Sequence, residues 1–348
     1  MSAVIGPSHI LCAIGSGTDQ VWAAARAGIA RIASSPVMDR HSEPIPMGLV
    51  PEGALGELAP EIDKLPLPPR ARRMLRLAAP SFQAVAKDVG REVALFIGLP
   101  QLGAEDAAWV RHVPAYLQML AGVPVNRARS VVIAEGRAAG LVALERALQL
   151  LEADPAADVI VGAVDSYFDP DLLATLDAEE RILRRDVMDG FIPGEGAGFY
   201  QLSAAGNRQP SPARQTVVQA AASTLDPGHR YGDAPARGEG LAAVIANVRE
   251  RMPALPPIAT RFAGFNGENF DAKLWGVARL RHNDFFTPGM LIEHPADKFG
   301  DAGAAMGAIL VALAARSLAE GTRPGPALVW AASDRELRAC AIVSSAPN

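Results

Sequence analysis

The sequence predicts an α/β protein in which helices cover buried sheets. Strand-like apolar runs alternate with helical segments through both halves of the 348-residue chain, a pattern typical of layered α/β folds. Apolar residues make up 49% of the sequence and aromatic residues only 5%. The core must therefore consist mainly of closely packed Ala, Leu, Val and Ile side chains.

The first half begins with a predicted strand and glycine-containing turn over 4–16 and an Ala-rich helix over 18–33. Thr18 or Asp19 is the expected cap of that helix, and the many prolines in 43–69 predict a loop. The remaining predicted elements are a helix over 70–90, a strand over 91–100, a helix over 105–121, a strand over 131–133, a helix over 136–151, a strand over 157–167 and a glycine-rich stretch that becomes a strand over 189–203.

A linker is predicted over 204–215, where polar residues, Gly and Pro accumulate. It divides the chain into halves of 1–205 and 206–348. The second half is expected to contain strands over 216–224, 258–267, 327–333 and 339–345 and helices over 238–251 and 302–318. The halves share an outline, since each has a strand and a turn followed by a long Ala-rich helix, 136–151 and 302–318.

Composition excludes several classes of function. The net charge is -5 and no dense basic cluster is present, so nucleic acid is not an expected partner. The uncharged run 302–315 is too short to span a bilayer, and no basic leader precedes Arg26, which predicts a cytoplasmic protein. Cys12 and Cys340 lie in apolar runs and are expected to be buried thiols.

Four motifs resemble segments of the β-ketoacyl-ACP synthases, the condensing enzymes of thiolase fold. "DGFIPGEGAGFYQLS" (189–203) resembles the stretch after their active-site region, and "RRMLRLAAPSFQAVAKD" (72–88) resembles an early helix. "PARGEGLAAVI" (235–245) and "KFGDAGAAMGAI" (298–309) resemble two segments of their second half. The order agrees with the family. The resemblance implies two pseudo-repeated halves stacked in five layers, α-β-α-β-α, with the two Ala-rich helices in the central layer.

The resemblance also implies where catalytic residues would lie, and each position carries a different residue here. The family's nucleophilic Cys falls on Glu135 at the turn after strand 131–133, and its two histidines fall on Asn266 and Asp301. The family's Lys and its Glu partner fall on Ala296 and Leu310. The C-terminal glycine-rich gate falls near 333–339, which contains no glycine.

These replacements predict loss of condensing activity. Ala296 and Leu310 remove a charged pair without leaving either charge buried. At Glu135 the simplest interpretation is a carboxylate that caps the following helix. The alternative is an acidic pocket of Glu135, Glu268 and Asp301, which could perform acid–base chemistry or hold a hard cation.

The remaining polar residues form no strong catalytic pattern. Ser166, His294 and Asp297 lack the surroundings of a triad, and His294 could fill the space of the second family histidine. No cofactor or metal is expected.

Two classes of function remain open. The first is a non-catalytic, dimeric protein that binds itself, a ketosynthase, an acyl carrier protein or a secreted effector. It would be an accessory or adaptor protein, of the kind found in bacterial secretion clusters, or a chain-length-factor-like subunit. Loss of the glycine gate favours the adaptor. The second class is an acyl-thioester enzyme with altered chemistry that uses Glu135 and Asp301.

Overall fold

The computed structural model describes residues 2–103, 106–207 and 214–346. Eight strands precede residue 206: β1 (Ala3–Cys12), β2 (Gly15–Ser16), β3 (Ala33–Met38), β4 (Pro44–Met47), β5 (Ala94–Leu99), β6 (Val131–Ala134), β7 (Val159–Ser166) and β8 (Glu195–Ala204). The helices of this half are α1 (Thr18–Arg26), α2 (Pro60–Asp63), α3 (Pro69–Ala86), α4 (Ala107–Val110), α5 (Val113–Ala121), α6 (Ala139–Ala153) and α7 (Pro170–Ala178).

The second half has fewer elements. Its strands are β9 (Thr216–Leu225), β10 (Ile258–Ala263), β11 (Phe286–Glu293), β12 (Ala327–Ala332) and β13 (Leu337–Ser345). Its helices are α8 (Glu239–Glu250), α9 (Asn269–Arg281), α10 (Ala296–Phe299) and α11 (Ala305–Glu320).

The two halves repeat one sheet topology. The first half has the strand order β6-β5-β7-β8-β1, and the second has the order β11-β10-β12-β13-β9. In both, the first two pairings are parallel and the last two antiparallel. The predicted pseudo-repeat is confirmed. The two sheets are also hydrogen-bonded to each other, because residues 3–5 of β1 pair with residues 216–218 of β9.

Five layers result from this arrangement, as predicted. Helix α3 packs on β1, β7 and β8 of the first sheet, and α8 packs on β9 and β13 of the second. Between the sheets, α6 contacts β5, β7 and β9, while α11 contacts β7, β8, β12 and β13. The two Ala-rich helices therefore form the central layer, and each buries its surface against strands of both halves.

Small residues let the central helices approach closely. A Cβ atom at Gly140 of α6 would lie 2.9 Å from the backbone nitrogen of Ala308 in α11. A Cβ atom at Gly307 would lie 3.0 Å from the backbone nitrogen of Leu141. Interiors packed at this density have no room for an added methyl group, so the crossing point requires glycine on both helices.

Several elements differ from the prediction. The helix expected over 18–33 ends at Arg26 because Gly28 has a φ of 71° and turns the chain. The proline-rich segment 43–69 is not entirely loop, since it contributes β4, which pairs with β3, and the short helix α2. The helix expected over 105–121 is divided into α4 and α5.

Five elements fall where no such helix or strand was predicted, namely β3, α7, α9, α10 and β11. Part of the predicted linker, 208–213, lies outside the described residues. Within the described ranges, no helix is long and apolar enough to cross a membrane. Cys12 and Cys340 are buried and unpaired, and burial raises the pKa of Cys12 to about 12.

Candidate functional site

The turn that joins β6 to α6 is held by a serine from the second half. Gly136 has a φ of 79°, a conformation that favours glycine, and opens a short 3-10 turn over 136–138. Ser333, just after β12, donates a hydrogen bond to the Glu135 carbonyl oxygen at 2.5 Å and accepts one from the Ala138 N–H at 3.1 Å. The turn is thus anchored across the interface between the halves.

Glu135 does not behave as expected. Its side chain is exposed and makes no capping hydrogen bond to the turn that follows. The structure therefore contradicts the interpretation of Glu135 as a hydrogen-bonding helix cap. It also leaves Glu135 on the surface, whereas Glu268 and Asp301 are both buried.

The buried side chain of this turn is Arg137, which is 4% exposed. Its Nε lies 3.0 Å from Oδ2 of Asp301, and its Nη1 lies 3.3 Å from Oδ2 of Asp271. Its Nη2 lies 3.5 Å from Oε2 of Glu268 and 3.7 Å from Oδ1 of Asp334. One guanidinium group therefore faces four carboxyl groups at the start of the central helix.

Two further arginines complete the network. Arg181 donates to both oxygens of Glu268, at 2.9 Å each, and to both oxygens of Asp334, at 3.0 and 3.1 Å. Such bidentate pairs are the strongest form of the arginine–carboxylate interaction. Nη2 of Arg230 lies 2.9 Å from Oε1 of Glu268. We call the set the ionic cluster; its members are Arg137, Arg181, Arg230, Glu268, Asp271, Asp301 and Asp334.

Burial and charge move the pKa values of the cluster in opposite directions. Burial raises the pKa of Asp271 to about 7 and also raises the pKa of Asp301, although Arg137 opposes both shifts. Burial would likewise raise the pKa values of Asp334 and Glu268, but the neighbouring arginines outweigh it and lower both. Since three guanidinium groups face four carboxyl groups, Asp271 is the carboxyl group of the cluster that keeps its proton up to about pH 7.

The positions aligned with the family's histidines meet at this cluster. Nδ2 of Asn266 donates to Oε2 of Glu268 at 2.8 Å and to Oδ2 of Asp301 at 3.3 Å. Ala296 is buried at the start of α10, and Leu310 is fully buried within α11. The structure thus brings Asn266, Glu268 and Asp301 together around Arg137.

The other candidate residues serve different contacts. The Ser166 hydroxyl is buried and donates to Glu195 at 2.7 Å, and Arg73 also binds Glu195. Nδ1 of His294 lies 3.9 Å from Asp297, and both side chains are largely exposed. No serine–histidine hydrogen bond joins Ser166 to His294 among the described contacts.

The cluster has the chemistry of a structural ion network. Arginine remains protonated in proteins and cannot act as a nucleophile at neutral pH. In the described part of the chain, no three His, Cys, Asp or Glu side chains are placed to hold a metal ion. The arginine groups lie between the carboxylates instead, so the structure does not support the cation alternative.

Sequence reasoning missed five cluster members: Arg137, Arg181, Arg230, Asp271 and Asp334. A signal for Arg137 existed, because buried carboxylates at 268 and 301 require positive partners. In a 3-10 turn, successive side chains point about 120° apart. A residue two positions after the exposed Glu135 can therefore point inward and supply that charge.

Comparison with known proteins by sequence finds no relative. No protein-family model matches the chain, and no curated protein matches it significantly.

Solved structures are similar in fold over the whole chain. A ketosynthase from module 6 of the bacillaene synthase of Bacillus subtilis 168 superposes with a TM-score of 0.78 at 14% identity, covering 100% of this chain and 72% of its own. The structure titled "AntDE:AntF (apo): type II PKS acyl-carrier protein in complex with its ketosynthase bound to the hexaketide" gives 0.80 at 15% identity, covering 99% of both chains. The ishigamide ketosynthase/chain length factor gives 0.71 at 16%, covering 100% of both.

These likenesses define the fold of the chain. The chain has the thiolase-like fold of ketosynthases, as the sequence motifs predicted. Identities of 14–16% establish the fold, and function must be argued from the site.

The raised pKa of Asp271 predicts the pH dependence of stability. The folded protein keeps a proton on Asp271 up to about pH 7, whereas the unfolded chain releases it near about pH 3.9. The stability contributed by this proton is fully present below about pH 3.9 and is lost progressively as the pH rises from about 3.9 to about 7. In Asp271→Asn, the variant's free energy of unfolding minus that of the wild type should rise by up to about 1.4 kcal/mol per pH unit over this range.

Urea unfolding from about pH 5 to about pH 8 would measure this difference. Asp284→Asn is the control. Arg249 lowers the pKa of the exposed Asp284, so Asp284 is ionised in both the folded and the unfolded protein. The free energy of unfolding of this variant should therefore follow the same pH dependence as that of the wild type. A parallel curve for Asp271→Asn would show that Asp271 carries no proton in the folded protein.

Proposed function

We propose that this chain is a non-catalytic ketosynthase-fold protein of the cytoplasm that acts as an accessory or adaptor by binding another protein. The observation that carries this proposal is the buried guanidinium of Arg137 at the turn where the resemblance places a catalytic Cys. A thioester acceptor at that turn needs a nucleophile with groups that polarise the carbonyl. Asn266 and Asp301 offer no imidazole.

The ionic cluster also opposes entry of a substrate. Arg181 and Asp334 bring the segment before β8 against the loop after β12, and Glu268 joins them to α9. Opening a passage would separate buried ion pairs, and breaking a buried pair costs about 3–5 kcal/mol. A substrate would need to recover that free energy from its own contacts.

A chain-length-factor-like subunit is the second candidate. Its support is the superposition on the ishigamide ketosynthase/chain length factor, which covers 100% of both chains. Against it, residues 333–339 form an ion-paired loop and the start of β13 rather than the glycine-rich gate expected for a protein that lines an acyl tunnel. We therefore favour the adaptor role.

An acyl-thioester enzyme with altered chemistry is the third candidate. Asp271 and Asp301 have raised pKa values, as acid–base residues often do. However, both are buried and paired with Arg137, and Glu135 lies outside the cluster. The proposed acid–base pair of Glu135 and Asp301 therefore lacks a shared pocket.

Strand β6 offers a surface for association. Among the strands that the structure describes it pairs only with β5, so its other edge is open to pairing, and Val131 is 37% exposed. Free strand edges of this kind pair readily with another chain. We propose a homodimer through this edge, or a heterodimer with a ketosynthase-like chain; an acyl carrier protein or a secreted effector would be bound by the assembled protein.

The non-catalytic proposal predicts no turnover of acyl thioesters. Wild-type protein with acetyl and hexanoyl thioesters should show only the background rate of thiol release and no covalent adduct by mass spectrometry. Glu135→Gln and Asp301→Asn should behave like the wild type, and an active ketosynthase is the positive control. Wild-type turnover that falls by a factor of about 100 or more in either variant would overturn the proposal in favour of the enzyme.

The dimer proposal predicts that charge on the β6 edge separates the protomers. Light scattering at micromolar concentration should give a dimer for wild type and a monomer for Val131→Lys, because a two-fold axis brings the two lysines together. Val131→Thr keeps a β-branched residue and should remain dimeric. A monomeric wild type would contradict the homodimer, and a dimeric Val131→Lys would contradict association through this edge.

A further inference from the structure

Arg261 of β10 is buried without an anionic partner. The residue is 2% exposed, and its guanidinium carbon lies 3.9 Å from the ring centroid of Trp275 and 4.8 Å from that of Phe265. Its Nε and Nη1 are enclosed and have no hydrogen-bond partner among the described residues. No described carboxylate lies within ion-pair distance of it, unlike the arginines of the ionic cluster.

Such a group is costly to the folded protein. A buried charge without a partner loses its hydration and gains nothing equivalent in return. Contact with two aromatic rings offsets part of this cost. Burial, with the like charge of Arg279, lowers the pKa of Arg261 to about 9. The guanidinium is therefore still positively charged at neutral pH and would be stabilised by an anion.

A cavity of about 630 Å³ lies beside this guanidinium, a volume typical of small-molecule sites. Arg261 forms part of its wall, and the apolar side chains of Leu183, Ile192, Phe265 and Ile292 form much of the remainder. A single cation in a mainly apolar cavity fits a ligand with one anionic group and an apolar body.

The acidic residues of the wall do not compete for Arg261. Glu268 is on the cavity wall but is bound by Arg181 and Arg230. Asp297 is also on the wall and lies 2.9 Å from Nζ of Lys298. The charge of Arg261 is thus the one on this wall that lacks a partner among the described residues.

We propose that this cavity binds a carboxylate with an unbranched apolar chain. The carboxylate pairs with the guanidinium of Arg261, and the chain lies against Leu183, Ile192 and Phe265. Arginine is suited to this role because it keeps its charge at neutral pH and is more weakly hydrated than an ammonium group. The cavity shares Glu268 and Asn266 with the ionic cluster region, but the proposal does not depend on whether the chain is catalytic.

The test uses octanoate and isothermal titration calorimetry with the full-length protein. Octanoate should bind saturably, and octan-1-ol, which has the same chain length without the charge, should bind at least about tenfold more weakly, a difference of about 1.4 kcal/mol. Arg261→Gln should weaken octanoate binding by at least the same factor. Arg279→Gln removes a neighbouring cation that is not on the cavity wall and should change octanoate binding by less than about threefold.

A second variant keeps the test informative if Arg261→Gln fails to fold. Ala272, an exposed residue of α9 on the cavity wall, can be replaced by Trp to fill the cavity without altering Arg261, and octanoate binding should be lost. The proposal is overturned if octanoate shows no saturable binding to the wild type. Equal affinities for octanoate and octan-1-ol, or unchanged octanoate binding in a folded Arg261→Gln, would also overturn it.

Discussion

The buried guanidinium of Arg137 is the interaction on which the arrangement of the site depends. It lies at the start of the central helix and faces carboxyl groups from three other segments: the region that opens α9, the turn before α11 and the loop after β12. Without it, Asp301 and Asp271 would be enclosed with no cation within ion-pair distance. Carboxylates that are buried close together without a cation destabilise one another. The buried carboxyl groups therefore depend on Arg137.

The site combines apolar positions with paired charges. At Ala296 and Leu310, the positions aligned with the family's charged pair, both charges are absent and the side chains pack in the interior. In the ionic cluster charge is present instead, and its arginines face carboxyl groups. Arg261 provides the contrast within one chain, because it is buried beside an unfilled cavity and has no carboxylate.

The sequence predicted the fold more completely than it predicted the site. The central helices were predictable because Ala, Gly and Leu dominate both of them and the run 302–315 carries no charged residue, a composition that fits a buried position. Helix α9 was missed because its sequence, "NFDAKLWGVARLR", carries charged residues on most turns and one Gly, so it lacks a clear apolar face. The joined sheets were also not predictable, since pairing between β1 and β9 involves only three residues of each strand.

At the site, sequence reasoning found the right neighbourhood but not its central residue. The motifs placed 135, 266 and 301 near one another, and the structure brings Asn266 and Asp301 into contact. Which side chain of the turn points inward depends on the 3-10 geometry that begins at Gly136, and spacing in the sequence does not specify that geometry. Arg181 was not singled out in the sequence, because only tertiary contacts show that it is buried.

The most direct test of this account is a double-mutant cycle between Arg137 and Asp301. Urea unfolding of Arg137→Met, Asp301→Asn and the double variant would give the coupling free energy between the two side chains. If the buried ion network holds the site, the double variant should lose about 1–3 kcal/mol less free energy of unfolding than the two single variants lose together. Losses that add to within about 0.3 kcal/mol would show that Arg137 and Asp301 act independently, and would contradict a site organised around that arginine.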